Sequence, residues 1–370
     1  MIDIKDVCSF IYQNPELGFE EFEAARMQKQ FLEEHGFEVK FPYDGILKTA
    51  FRCEYGNADA PTVMFMSEYD ALKGLGHACG HNLIAAAALK GFTDCAEIMK
   101  KNNINGRIIL LGTPAEEGYG GKVYLIEKNV FSAADVALIS HPFHVAGIGP
   151  ETMGISHLQV EFFGKSAHAS MAPEYGINAL DAMIALFNAV GLYRQQMPKS
   201  CQIHGIISDG GKAPNIIPDY TCALFYTRSH VSEDHAQIDK DFANMVEGAA
   251  KMTNCTCKLS NSSPRYESSK KNSALEKVLA EEMTAAGMNL ETITQRLSSD
   301  FGNVANILPT ANIFFPVSPD SCPKLHTAEF LKAAGTDFAF EQAMKAGSAM
   351  AKTAVRFLSD ENFRRDVAAN

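Results

Sequence analysis

The 370-residue chain lacks any surplus of positive charge: 33 lysines and arginines face 44 aspartates and glutamates, a formal net charge of -11 with a sequence pI near 5.5. Phosphate backbones and anionic headgroups repel an acidic protein, so no nucleic acid and no membrane is expected as a partner, and a small molecule is. The chain also lacks an uninterrupted apolar run long enough to span a bilayer. Its start, Met1-Ile2-Asp3-Ile4-Lys5-Asp6, has neither the basic stretch nor the apolar core of a signal peptide. The expected location is cytoplasmic. Cysteines number only nine, an odd count that argues against a disulfide framework in a long chain with a full core, and most read as buried small hydrophobes. Cys255-Thr256-Cys257 lacks the second pair a zinc site needs, and Lys270-Lys271 is too short for a binding patch.

What the chain does have is length and one dense motif. With 46% hydrophobic and 21% charged residues over 370 positions, it exceeds what one core organises, so two domains are expected. The segment from Glu68 to Asn82 contains Glu68, Asp70, His77, Cys79 and His81. These are the ligand types that a borderline-soft divalent metal selects.

Hydrophobic periodicity places this motif on a map. Cys8 to His35 is amphipathic; Thr62–Ser67, Arg107–Leu111 and Asp135–Ser140 are apolar runs of buried-strand type; Asn82–Lys100 is helix-like. This alternation predicts an α/β fold with a mostly parallel central sheet and helices on both faces. Chemistry then gathers beyond the strand carboxyl ends, where Glu68 and Asp70, Glu116 and Glu117, and His141 follow three different strands. Adjacent Glu116 and Glu117 point in different directions, so one can bind metal while the other handles a water proton.

The middle third changes rhythm. Strand, helix, strand, strand, helix, strand over Ile155–Phe163, Asn178–Met197, Gln202–Ser208, Asp219–Arg228, Ser232–Met252 and Asn254–Leu259 is the ferredoxin-like order. Ser260-Asn261-Ser262-Ser263-Pro264 reads as the turn where the chain crosses back, before a helix over Ser273–Ala286. The expected division is residues 1–153 with 265–370 as a metal-binding catalytic domain, and 154–264 as an inserted α+β domain for dimerisation and substrate contact.

Seven motifs carry a resemblance. They are Asn14-Pro15-Glu16-Leu17, Glu68-Tyr69-Asp70-Ala71-Leu72, His77-Ala78-Cys79-Gly80-His81, Pro114-Ala115-Glu116-Glu117-Gly118, Gly164-Lys165-Ser166-Ala167-His168, Asn215-Ile216-Ile217-Pro218 and Leu325-His326-Thr327. In this order they resemble the aminoacylase and carboxypeptidase group of metallopeptidases, specifically its amidohydrolase branch with hippurate hydrolase and the indole-acetyl-amino-acid hydrolases. Within it, the pattern looks most like the p-aminobenzoyl-glutamate hydrolase and β-alanyl-lysine dipeptidase-like subgroup.

The resemblance implies metal ligation by Cys79, His81, Glu117, His141 and His326, with Glu116 as general base toward a metal-activated water and Asp70 orienting a ligand. Two divalent ions per subunit, of Mn, Zn, Co or Ni, are implied if a ligand such as Cys79 bridges them. It further implies that His168 polarises the scissile carbonyl, often across a homodimer, that Asn215 helps hold substrate, and that Arg228 grips a substrate carboxylate. Glu68 departs from the wider family, whose distant members carry a histidine ligand there, so a direct catalytic part is not expected of it. His77 and His144 read as hydrogen-bonded loop histidines. The expectation is a metal-dependent hydrolase of the amide bond in an N-acyl amino acid or dipeptide-like substrate. A deacetylase of a non-amino-acid amide and a catalytically silent binding protein remain open on the same fold.

Overall fold

A computed structural model describes residues 1–43, 45 and 47–370 and divides the chain into two compact units. The first comprises Met1–Glu151 and Ser269–Asn370; the second is Thr152–Ser268.

The first unit is built on a seven-stranded sheet in the order Val39–Lys40, Arg52–Gly56, Arg107–Gly112, Thr62–Ser67, Val136–Phe143, Thr310–Pro316, Gly147–Ile148. The four central strands run parallel, and each of the three outer ones pairs antiparallel with its inner neighbour. Every residue of Thr62–Ser67 is buried, as a strand covered on both faces requires. Alternation then sorts its side chains: Val63 and Phe65 join one apolar cluster, Met64 and Met66 the other. The first cluster takes Leu83 and Phe92 from helix His81–Asn102, Met350 and Phe357 from Asp337–Ser359, and Val7 and Ile11 from Ile4–Gln13. The second takes Leu125 from Gly121–Glu127 and Val304 from Phe301–Ala305. Helices therefore cover both faces of a mostly parallel sheet, the α/β layer the alternating pattern predicts.

The second unit is a four-stranded antiparallel sheet in the order Thr256–Tyr266, Gly154–Phe163, Tyr220–Ser229, Cys201–Asp209. Helices Ala179–Tyr193 and Ser232–Thr253 pack Met183, Leu186, Ile238 and Phe242 against Val160, Phe162 and Phe225 of that sheet. Numbered along the chain, its strands lie 4-1-3-2, the ferredoxin-like arrangement.

Two local expectations differ from the structure. The amphipathic stretch Cys8–His35 is two helices, Ile4–Gln13 and Phe22–Glu34, because Asn14-Pro15 ends the first: a proline ring cannot continue the hydrogen-bond ladder. Ser260–Pro264 is not a turn but part of strand Thr256–Tyr266, which pairs with Gly154–Phe163 through register shifts between Asn261 and Ser263 and between Ser263 and Tyr266. Bulges let a polar, proline-containing run remain in an edge strand. Among the described residues, no helix is long and apolar enough to cross a membrane.

Candidate metal centre

The three neighbouring strands Arg107–Gly112, Thr62–Ser67 and Val136–Phe143 end on one rim of the first unit, and the candidate residues leave from there. Glu68 and Asp70 directly follow Thr62–Ser67, and Glu116 and Glu117 lie in the loop after Arg107–Gly112. His141 is inside its strand and not beyond it, since Val136–Phe143 runs three residues past the expected end at Ser140.

Local backbone geometry brings the rest. Gly80 has φ +76°, and a Cβ there would lie 2.5 Å from Cγ of Pro142, so only glycine lets the chain turn between Cys79 and the first helical residue, His81. Ala115 and His326 are non-glycine residues at φ +63°. Such strain persists only where surroundings over-determine it. At Ala115 the backbone N–H donates to Glu21 Oε1 at 2.8 Å, and at His326 it donates to the carbonyl of Ala78 at 3.0 Å, which ties His326 to the Cys79 loop from far along the chain.

The resulting cluster has three overlapping triplets, each able to offer ligand atoms lying within 4.8 Å of one another: Cys79, His81 and His141; Cys79, Glu117 and His326; His81, Glu116 and Glu117. Cys79 belongs to the first two, and its Sγ is 3.5 Å from His141 Nε2. Buried His81 and part-buried His141 each have the outer ring nitrogen occupied. Asp70 Oδ1 accepts from His81 Nδ1 at 3.0 Å, and the carbonyl of Pro142 accepts from His141 Nδ1 at 2.7 Å, which leaves both Nε2 atoms facing inward. Asp70 Oδ2 also accepts the backbone N–H of Glu117 at 2.9 Å.

The donor atoms themselves test whether a cation fits. His81 Nε2, Glu117 Oε1 and Glu68 Oε2 are buried without a hydrogen-bond partner. His81 Nε2 stands 3.7 Å from Glu117 Oε1, 3.8 Å from Glu68 Oε2 and 3.9 Å from an oxygen of Glu116, while His326 Nε2 is 3.7 Å from Glu117 Oε1. Those spacings suit atoms converging on a shared ion at about 2.0–2.3 Å each. Orphaned polar atoms in a native interior call for an ion or water. Burial, then Glu117 and Glu68, push the Glu116 carboxyl well above the usual carboxylate range, and burial followed by Glu117 raises the Cys79 thiol. Burial pulls His141 down to about 4, leaving a neutral imidazole fit to donate a lone pair. So many acids sharing a dry space is an arrangement that positive charge relieves.

Three further buried charged residues border this cluster and were not singled out from sequence. Glu21 is buried, accepts from Thr49 and Ala115, and burial pushes it up to about 8. Lys122 and Asp300 are both fully buried and paired at 2.6 Å. The Gly120-Gly121-Lys122 run after the paired glutamates is the sole local trace of Lys122; nothing near Glu21 or Asp300 marks either. His77 is buried and the His144 ring lies tilted against Phe143 with ring centroids 4.0 Å apart; neither enters a ligand triplet.

The second unit holds the other expected residues. His168 Nδ1 accepts from the backbone N–H groups of Ser170 and Met171 at 3.3 Å, which in the neutral ring places the proton on Nε2. The segments of His168 and Asn215 are bridged, with Ala169 N–H donating to the Asn215 carbonyl at 3.0 Å. Arg228, half-buried on strand Tyr220–Ser229, lies 5.6 Å from the Tyr226 ring centroid.

Comparisons with known proteins bear on the family and the fold. The M20 family model described as a peptidase dimerisation domain matches residues 151–253. The human protein named Xaa-Arg dipeptidase is 33% identical over 366 residues, covering 93% of this chain and 83% of that protein. One of the p-aminobenzoyl-glutamate hydrolase polypeptides of Escherichia coli is 31% identical, covering 68% of this chain and 56% of that protein. Among solved structures, a dinuclear metal binding peptidase of the M20 family from Bacillus subtilis superposes with a TM-score of 0.69 at 18% identity, covering 93% of this chain and 96% of that one.

Because Asp70 alone orients both His81 and Glu117, Asp70→Asn is expected to weaken divalent-metal affinity by about 10- to 100-fold with little loss of helix content. Competition titration with a chromophoric chelator, beside circular dichroism, checks this; wild-type affinity in a folded variant would remove Asp70 from the centre.

Proposed function

The chain belongs to the M20 peptidase family of metal-dependent peptidases and amidohydrolases, and from that premise we propose that it hydrolyses the amide bond of a dipeptide or N-acyl amino acid with Glu116 as proton carrier. The observation that carries this is the placement of Cys79 in two ligand triplets with Glu116 beside them in a third. Cys79, His81, Glu117, His141 and His326 would hold two divalent ions, of Mn, Zn, Co or Ni. When bound, such ions supply Lewis acidity toward a carbonyl oxygen and make water a competent nucleophile near neutral pH. Glu116, raised in pKa by burial and its acidic neighbours, takes the proton of the attacking water. As the new C–O bond forms and the C–N bond breaks, that proton passes to the leaving amine, so one water is consumed and one acid and one amine are released.

The substrate's amine side is proposed to be an amino acid with a free carboxylate. The names of the relatives support this: Xaa-Arg dipeptidase, p-aminobenzoyl-glutamate hydrolase and hippurate hydrolase. On the second unit, His168 Nε2–H is the donor proposed for the scissile carbonyl, Asn215 a second polar contact, and Arg228 the bidentate partner of the carboxylate. Dimerisation is proposed through that unit as well. Edge strand Cys201–Asp209 pairs on one side only and exposes Ile206 and Ile207, while helix Ala179–Tyr193 exposes Ile184 and Leu192.

Glu116→Gln is expected to lower kcat by about 10²–10⁴-fold while metal content, read by plasma mass spectrometry, stays at the wild-type level. Wild-type turnover on p-aminobenzoyl-glutamate, N-acyl amino acids and dipeptides would sink the base assignment. In the same assay, chelation should abolish activity and divalent ions restore it; full turnover by verified metal-free protein would overturn the mechanism. His168→Ala is expected to lower kcat with unchanged metal content, and Arg228→Lys to raise KM for free acids more than for their amides. Equal effects on acids and amides would detach Arg228 from the carboxylate. Sedimentation analysis should find a wild-type dimer and an Ile206→Glu monomer, and a dimeric variant would place the interface elsewhere.

A further inference from the structure

The Lys122 ammonium is buried completely, yet the five-ligand centre gives it no task. Its Nζ lies 2.6 Å from Asp300 Oδ1 and 2.5 Å from Glu68 Oε1, and its backbone N–H donates to Asp300 Oδ2 at 2.9 Å. Asp300 thus grips Lys122 at both backbone and side chain. Glu68 is held by one oxygen alone. Its other oxygen, Oε2, is buried without a hydrogen-bond partner and stands 3.8 Å from His81 Nε2, beside the 3.7 Å of Glu117 Oε1. Glu68 enters none of the three ligand triplets, yet its free oxygen is about as near His81 Nε2 as that of Glu117.

Energetics argue that this arrangement is not present for stability. Removing three charges from water carries a desolvation cost that their attraction repays only with good geometry, and well-packed hydrophobes of the same volume usually do as well. A fixed ammonium at one oxygen of Glu68 holds that carboxylate in place and leaves the other oxygen facing His81.

We propose that Lys122 is a positioning residue of the metal centre, anchored by Asp300, which holds Glu68 so that its free oxygen serves as a further metal ligand on the His81 side. The inference rests on the metal-centre reading above. It assigns to Glu68 a part not expected from sequence, and it gives the centre six protein ligands in place of five.

The test measures Mn²⁺ and Zn²⁺ affinity and stoichiometry by competition titration on the full-length protein, with circular dichroism and thermal melts as controls on folding. Glu68→Gln keeps size and can still accept from Lys122 but loses the anionic ligand, and is expected to weaken binding at one site about 10- to 100-fold. Lys122→Met, similar in length and uncharged, is expected to weaken the same site by a like factor. The double variant should be no weaker than the more affected single one, since Lys122 acts through Glu68. Should Lys122→Met fail to fold, Glu68→Gln decides alone. Wild-type affinity in folded Glu68→Gln would overturn the proposal, and so would additive losses in the double variant. Cys79→Ala separates the two levels: if it too leaves affinity unchanged, the metal-centre reading fails; if it lowers affinity while Glu68→Gln does not, only the Lys122 and Glu68 assignment fails.

Discussion

Asp70 is the carboxylate that ties the candidate centre together. One oxygen takes the Nδ1 proton of His81 and the other takes the N–H of Glu117, so a single buried side chain connects the end of strand Thr62–Ser67, the start of helix His81–Asn102 and the loop after Arg107–Gly112. Burial raises the cost of its charge, but His81 and the backbone N–H groups of Glu117 and Glu116 together outweigh that cost and keep its pKa below the ordinary aspartate value. Reciprocally, burial opposes a charged His81, and Asp70 together with Cys79 holds its pKa well above the usual range. Neither group would sit in this interior without the other.

Around that pair the structure concentrates negative charge. Glu68, Glu116 and Asp300 are all buried beside one another, with Lys122 as the buried ammonium among them. Such an assembly has a use when a divalent ion is present, because the ion then becomes the largest local charge and inverts the pKa logic of every acid and thiol around it. The strained backbones at Ala115 and His326 fall at this same place. Rigid strands fix the rim, and the N–H groups of the two strained residues, donating to Glu21 and to the Ala78 carbonyl, hold them against it.

Much of the architecture was legible in the chain. Thr62–Ser67 showed itself because a strand covered on both faces must be apolar throughout, and the four strands and two helices of the second unit because each carries a full period of apolar residues. The polar run Ser260–Pro264 misled for the same reason in reverse: it belongs to an edge strand whose bulges free it from both alternation and regular pairing. The break at Asn14-Pro15 was written in the proline but is easily lost inside a continuing helical period.

Residue types and spacing alone marked Cys79, His81, Glu116 and Glu117 as candidates, since Cys-Gly-His and adjacent carboxylates are local patterns whose chemistry shows in a few residues. The strand-end pattern added His141, and resemblance added His326. That these side chains lie within ligand distance of one another was decided by tertiary structure: a parallel sheet aligns strand ends that are tens of residues apart, and a left-handed backbone at His326 bonds to Ala78. Glu21, Lys122 and Asp300 belong wholly to the folded state. A charged residue carries no sequence mark of being buried, because what permits its burial is a partner that only the fold supplies.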